Sequence, residues 1–217
     1  MQANNIVTFP GARVRRRAGG LAWKRPMDML LVALMLPVLL PVFAVIALLV
    51  KADSRGPVFF VQERVGLDGR RFRMVKFRSM HRDAEARRAA LLATSDREGV
   101  CFKVREDPRV TRVGRFLRRS SLDELPQLLN VLRGDMSLVG PRPALPEEVA
   151  AYPDRAMERL HVPPGLTGLW QVSGRAEVPF ERMIDMDVSY VRTASPALDL
   201  RILAATVGVV ISGRGAY

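Results

Sequence analysis

Apolar residues run without a charge from Met29 to Val50, a pattern that predicts a helix buried in lipid or in a core. At ~1.5 Å per residue the run could just cover the ~30 Å hydrocarbon thickness of a bilayer, provided it stays straight. Pro37 and Pro41 interrupt it. Pro37 cannot donate to the carbonyl of Ala33, nor Pro41 to that of Pro37, so two rungs are lost and the freed carbonyls need partners. Two readings fit: a kinked spanning helix, or a re-entrant helix-break-helix hairpin. Arg13, Arg15, Arg16, Arg17, Lys24 and Arg25 precede the run, and Lys51, Arg55, Arg64, Arg70 and Arg71 follow it. A spanning helix normally biases Lys and Arg to one flank, and neither flank dominates here.

Beyond the apolar run the periodicity changes. Val58 to Glu63 is aromatic and β-branched, Leu67-Asp68-Gly69-Arg70 is a turn signal, and Phe72 to Phe77 reads as a returning strand, so a β-hairpin is expected. Arg82 to Leu92 combines helix formers with mixed charge and predicts a surface helix. Arg109 to Leu117 places Val110, Val113, Phe116 and Leu117 on one helical face beside Arg109, Arg112, Arg115 and Arg118. Such a strip suits a membrane surface or a solvated helix face equally. Leu125, Leu128, Leu129 and Leu132 define another amphipathic helix, stopped by Gly134, and Pro126 in its first turn sets the start near Asp123. Gly140 to Pro143 and Pro163 to Arg175 are rich in Gly and Pro beside Arg, Thr, Gln and Ser. They read as ordinary turns, or as loops that turn backbone N–H groups and guanidinium forks toward an anion. Ile202 to Ser212 is apolar but too short to span, so it is a core or interfacial helix.

Composition narrows the partners. The 217 residues suit a membrane element plus one modest domain, and a net charge of +12 favours a polyanionic partner: nucleic acid, anionic lipid or a phosphorylated substrate. Aromatic residues at 6% leave few stacking platforms for nucleic acid. The lone Cys101 excludes an internal disulfide and is expected as a small packed side chain, and His81 and His161 are too separated to suggest a metal site. The apolar run is longer than a signal peptide's and lacks a small-residue cleavage pattern, so a retained anchor is expected. The basic arm before it either lies against anionic headgroups or is a solvated tail.

Candidate chemistry centres on Asp123 and Glu124, adjacent carboxylates at a helix start. An Asp there is ordinarily only a cap. The neighbouring Glu124, the arginines upstream and an anchor in the same small chain point further. A helix start keeps Asp123 ionised and offers phosphate oxygens a seat, so a carboxylate nucleophile can face a pyrophosphate while Glu124 holds a Mg²⁺ bridging the phosphates.

These residues and their order resemble the bacterial sugar transferase family, the monotopic phosphoglycosyl transferases. The likeness runs from Lys24-Arg25-Pro26-Met27-Asp28 through Gly56-Pro57-Val58, Gln62 to Gly66, Lys76 to Met80, Ser121 to Gln127, Gly134 to Pro143 and Gly165 to Arg175 as far as Ser212. The resemblance implies a mostly helical α+β fold: a basic arm (1–22), a re-entrant hairpin (23–52) broken at Pro37 and Pro41, and a catalytic domain (53–217) with interfacial amphipathic helices on the cytoplasmic face of the inner membrane. It implies transfer of a phosphosugar from a UDP-sugar to polyprenyl (undecaprenyl) phosphate, the first membrane step of polysaccharide assembly. Asp123 matches the nucleophile that carries the covalent phosphosugar as UMP leaves, and Glu124 its Mg²⁺ partner. Lys76, Arg118, Arg142, Arg175 and Asp187 match polar substrate-binding positions. Nucleic acid is not an implied partner; anionic lipid is. Three departures stand out: Pro163 where many relatives carry a basic residue, Leu36-Pro37 where they often carry Ser-Pro, and Ser189-Tyr190 where they carry paired tyrosines. If the missing basic residue binds phosphate in those relatives, Arg159 or another side chain must replace it here. The rival reading is a membrane-tethered basic binding module without catalysis.

Overall fold

The computed structural model describes residues 21–84, 86–87 and 107–212. Helix α1 (Lys24–Asp53) contains both Pro37 and Pro41 and stays helical through them. The expected break is therefore not a gap between two helices: each proline removes one rung, while the bonds on either side can continue.

Strands β1 (Phe59–Val65) and β2 (Arg71–Phe77) pair antiparallel, with Phe59 opposite Phe77 and Val65 opposite Arg71. A short 3-10 turn, Leu67–Gly69, joins them, with Asp68 and Gly69 both at positive φ, as the Asp-Gly signal predicts. Helix α2 (Arg112–Arg119) follows, capped by Thr111, whose hydroxyl accepts from Gly114 N–H at 2.9 Å. The 3-10 turn Leu122–Gln127 leads into α3 (Leu128–Arg133), which Gly134 ends at φ 90°. Strand β3 (Ser137–Val139) pairs parallel with β4 (Gly165–Thr167), and the short helices α4 (Pro146–Ala150) and α5 (Asp154–Met157) lie between them. Helices α6 (Leu169–Val172), α7 (Phe180–Thr193) and α8 (Pro196–Ser212) complete a mostly helical α+β fold.

One core joins Val32 of α1 to Met74, Leu128, Val131, Leu138, Tyr190 and Ile202; another joins Ile46 and Val50 of the same helix to Phe77 and Leu117. Both ends of α1 are thus seated on one domain. Polar contacts reinforce each end. At the start, Lys24 Nζ donates to Asp199 at 2.6 Å and to the Val139 carbonyl at 2.7 Å, and Asp28 accepts from Leu138 N–H at 3.1 Å. At the finish, Arg78 donates to the carbonyls of Ser54 and Arg55, and Asp53 accepts from Val113 N–H at 3.0 Å in the first turn of α2. Between these anchors Leu30, Leu34, Val38, Leu40, Val45 and Leu48 are exposed. α1 is long and apolar enough to cross a membrane.

Several expectations change. Of the charges flanking the apolar run in the sequence, Lys24 and Arg64 are buried and Arg25 bonds the carbonyls of Val131 and Leu132 at the end of α3. Helix α2 begins at Arg112, not Arg109; Leu117 faces the core while Phe116 is exposed. The Arg82 to Leu92 helix falls mostly outside the described residues, as does Cys101.

Candidate active site

A cleft of about 1080 Å³ is lined by Gln62, Arg64, Lys76, Arg118, Asp123, Glu124, Arg142 and Arg175 on its polar side. Six segments bring these together, β1 supplying Gln62 and Arg64. β2 supplies Lys76, the end of α2 supplies Arg118, the turn after it supplies the carboxylates, and the segments after β3 and α6 supply Arg142 and Arg175.

The carboxylate turn is 3-10 rather than α-helical, and Ser121 before it adopts a left-handed conformation at φ 56°. Non-glycine residues held there cost of order 1–3 kcal/mol and persist only where surroundings demand it. Arg175 is also left-handed, at φ 51°, and its guanidinium donates to Ser121 Oγ at 3.3 Å. Two strained residues therefore touch across the cleft, one of them two positions before Asp123.

Asp123 does not play the ordinary capping part. It is only 8% exposed, yet among the described residues no hydrogen bond reaches its carboxylate. Burial pushes its pKa up to about 6, against the pull of Lys76 and with a further push from Glu124. Glu124 behaves oppositely. Burial disfavours its charge, but Lys76 at 2.6 Å and Arg142 at 3.5 Å outweigh that and hold it down at about 2. Two neighbouring carboxylates are thus driven apart: one paired and held in its charged form, the other buried with no hydrogen bond among the described residues.

The cations are themselves positioned. Asn130, fully buried on α3, donates to the Arg73 carbonyl and accepts from Val75 N–H, clamping β2 and hence Lys76 beside the carboxylate turn. Arg118 Nε donates to Ser79 Oγ at 3.0 Å. Arg64 donates to the Pro143 carbonyl at 3.1 Å, next to Arg142.

Asp187 is corrected. It does not line the cleft; at 1% exposure it pairs with Arg159 at 2.5 Å, and Arg159 also donates to Tyr152 Oη and to the Arg142 carbonyl. Burial raises Asp187 to about 6 while Arg159 pulls the other way. Asp187 thus reaches the cleft only through Arg159, which itself lines it. Of the two readings of the Gly-rich loops, ordinary loop chemistry holds for two backbone N–H groups, while Arg142 and Arg175 of the same loops line the cleft. Gly140 N–H donates to Thr167 O and Gly165 N–H to Pro141 O, so these groups serve each other, not an anion. A Cβ on Gly165 would lie 2.0 Å from Gly140 N, which explains glycine there. Tyr190 is buried too, its hydroxyl donating to Asp199 at 2.7 Å.

Sequence reading missed Arg64, Ser79 and Asn130 as separate contributors. Arg64 and Ser79 belong to the Gln62 to Gly66 and Lys76 to Met80 segments, and Asn130 carries no signal in the sequence beyond a polar position in an apolar helix.

Among the described residues no three His, Cys, Asp or Glu side chains converge on one point. Both described bonds to Glu124 fall on Oε1, leaving Oε2 and the Asp123 carboxylate open to the cleft. That donor set fits Mg²⁺, which favours one or two carboxylates and takes its remaining ligands from substrate phosphates and water.

A family model described as bacterial sugar transferase matches residues 20–213. The chain is 47% identical over 162 residues to the galactosyl transferase CpsE of Streptococcus agalactiae, covering 74% of this chain and 36% of that protein. It is 40% identical over 206 residues to the exopolysaccharide production protein ExoY of Sinorhizobium fredii, covering 93% and 91% respectively. It is 41% identical over 198 residues to the undecaprenyl-phosphate galactose phosphotransferase of Salmonella typhimurium, covering 89% of this chain and 41% of that one.

Proposed function

The chain belongs to the bacterial sugar transferase family, and from that membership we propose that it transfers a sugar 1-phosphate from a UDP-sugar to polyprenyl phosphate. The observation that carries this reading is the buried, unbonded Asp123 in a cleft lined by Lys76, Arg118, Arg142 and Arg175. The names of ExoY and of the undecaprenyl-phosphate galactose phosphotransferase support it.

In the first step an Asp123 oxygen bonds to the sugar-proximal phosphorus while the bond from that phosphorus to the bridging oxygen breaks, and UMP leaves with the electron pair. In the second, an oxygen of the lipid phosphate attacks the same phosphorus and the aspartyl ester breaks, returning the carboxylate. No net proton moves. Arg118, Arg142 and Arg175 stabilise charge as the phosphoryl group transfers, and Lys76 keeps Glu124 ionised. A Mg²⁺ held by Glu124 would neutralise phosphate charge.

Both ends of α1 are docked on one domain, which supports a re-entrant insertion exposed to the cytoplasmic face alone. The exposed apolar residues of α1 then enter one leaflet, setting the cleft at headgroup depth where lipid phosphate and soluble nucleotide meet. Intact-mass analysis after mixing with UDP-glucose or UDP-galactose and Mg²⁺ should show a phosphohexose adduct and released UMP. Asp123→Asn should abolish both. An adduct that survives this substitution would reassign the nucleophile.

A further inference from the structure

The cleft holding Asp123 continues into an apolar trough that the transfer chemistry leaves without a role. Leu31, Met35 and Leu39 line it from α1 at helical spacing, and Leu203, Val207 and Val210 line it from α8 at the same kind of spacing. The two helices flank β3. Each thus presents one stripe to the trough, Met35 37% and Val207 59% exposed along it, while Leu34 and Val38 on the outer side of α1, 66% and 69% exposed, do not line it. Where trough and polar site meet, Thr167 and Thr206 pair their hydroxyls at 2.8 Å, and the Thr167 carbonyl holds Gly140, two residues before Arg142.

The geometry points to this trough as the seat of the first isoprenoid units of the acceptor, between the 31/35/39 stripe and the 203/207/210 stripe, with its phosphate among the cleft cations. The inference rests on the reading of the acceptor as a prenyl phosphate. Charge complementarity selects that occupant. An apolar channel opening onto a ring of guanidinium and ammonium groups matches a molecule with a phosphate directly joined to a hydrocarbon chain. A bilayer acyl chain needs apolar wall only and is served by the outer stripe of α1. Such a trough also fixes how the chain enters: from within the leaflet, along α8, so that the phosphate reaches Asp123 while the tail stays in lipid.

The test separates the two half-reactions in the full chain. Val207→Trp, and independently Val210→Trp, fill the trough. Each should raise KM for a long-chain polyprenyl phosphate at least tenfold, leave KM for methyl phosphate, an acceptor with no isoprene to seat, within about twofold, and still allow adduct formation from the UDP-sugar. Ala205→Trp, on a face of α8 away from the trough, should leave both acceptors unaffected. A prenyl phosphate bearing a diazirine on its first isoprene should crosslink to residues of both inner stripes. Unchanged long-chain KM in both Trp variants, or crosslinks confined to Leu30, Leu34 and Val38, would overturn the inference while the adduct still formed. Absence of any adduct in the unsubstituted protein would instead overturn the underlying transferase reading.

Discussion

At Asp123 and Glu124 adjacency hides opposite environments. Glu124 is locked to Lys76, whereas the buried Asp123 carboxylate has no hydrogen bond among the described residues. A nucleophile whose pKa is raised to about 6 is ionised above that value, so adduct formation should fall as pH drops through about 6, approaching tenfold per pH unit below it. A cation at Glu124 would move that break toward lower pH, never higher, because positive charge favours the ionised form. Single-turnover UMP release between about pH 4.5 and 8 measures it, and a rate rising on acidification would remove Asp123 from the nucleophilic role. Glu124→Gln keeps the shape but removes the charge that Lys76 and a cation share. It should lower turnover by ~10²-fold or more, and excess EDTA should do the same to the unsubstituted protein; full activity in EDTA would exclude a metal role. The carboxylate pair was legible in the sequence from its position before Pro126. The Arg159–Asp187 pair was not, because it joins residues far apart in sequence and no local pattern encodes it. Lys24 shows the same limit: beside an apolar run it reads as headgroup charge, yet its partner Asp199 stands at the other end of the chain.

Among the elements, the hairpin and α1 were legible because their periodicity and turn chemistry are local. The 3-10 carboxylate turn was not: its geometry follows from left-handed Ser121, which tertiary contact with Arg175 supports. Strand β3 was hidden inside a motif that reads as loop, since three residues give no period, and its parallel partner arrives only after two short helices. β3 also carries the link between membrane element and site. Lys24 and Asp28 of α1 bond to its Val139 carbonyl and Leu138 N–H, and the strand runs directly into Arg142. Lys24→Met leaves the buried Asp199 with Tyr190 as its remaining hydrogen-bond partner among the described residues and Asp28 repelling it, and removing one partner of a buried pair costs ~3–5 kcal/mol. Thermal unfolding in detergent should shift down markedly, and Lys24→Met/Asp199→Asn should recover part of the loss, since it removes the stranded charge. A single variant with unchanged melting would show that the pair contributes little.

For the whole molecule, the decisive relation is between α1 and the domain that holds both its ends. A straight helix of this length measures ~45 Å, ample for a bilayer, and composition alone permits a crossing. Yet Lys24 and Asp28 at one end and Asp53 at the other each reach polar groups of the same domain, through Asp199, Leu138 and Val113. A crossing would put one set of these buried polar contacts on the far side of the membrane, away from the body that supplies the partners. Breaking them would strand Asp199 and Asp28 without compensation, a larger penalty than bending an apolar helix already weakened at Pro37 and Pro41. Single cysteines at the exposed Ala22 and Arg55, in a Cys101→Ser background, should therefore react with a membrane-impermeant maleimide from the same side: both in inverted vesicles, neither in intact spheroplasts. Labelling of one in spheroplasts and the other in inverted vesicles would establish a crossing, and with it a domain that must part from one end of its own helix.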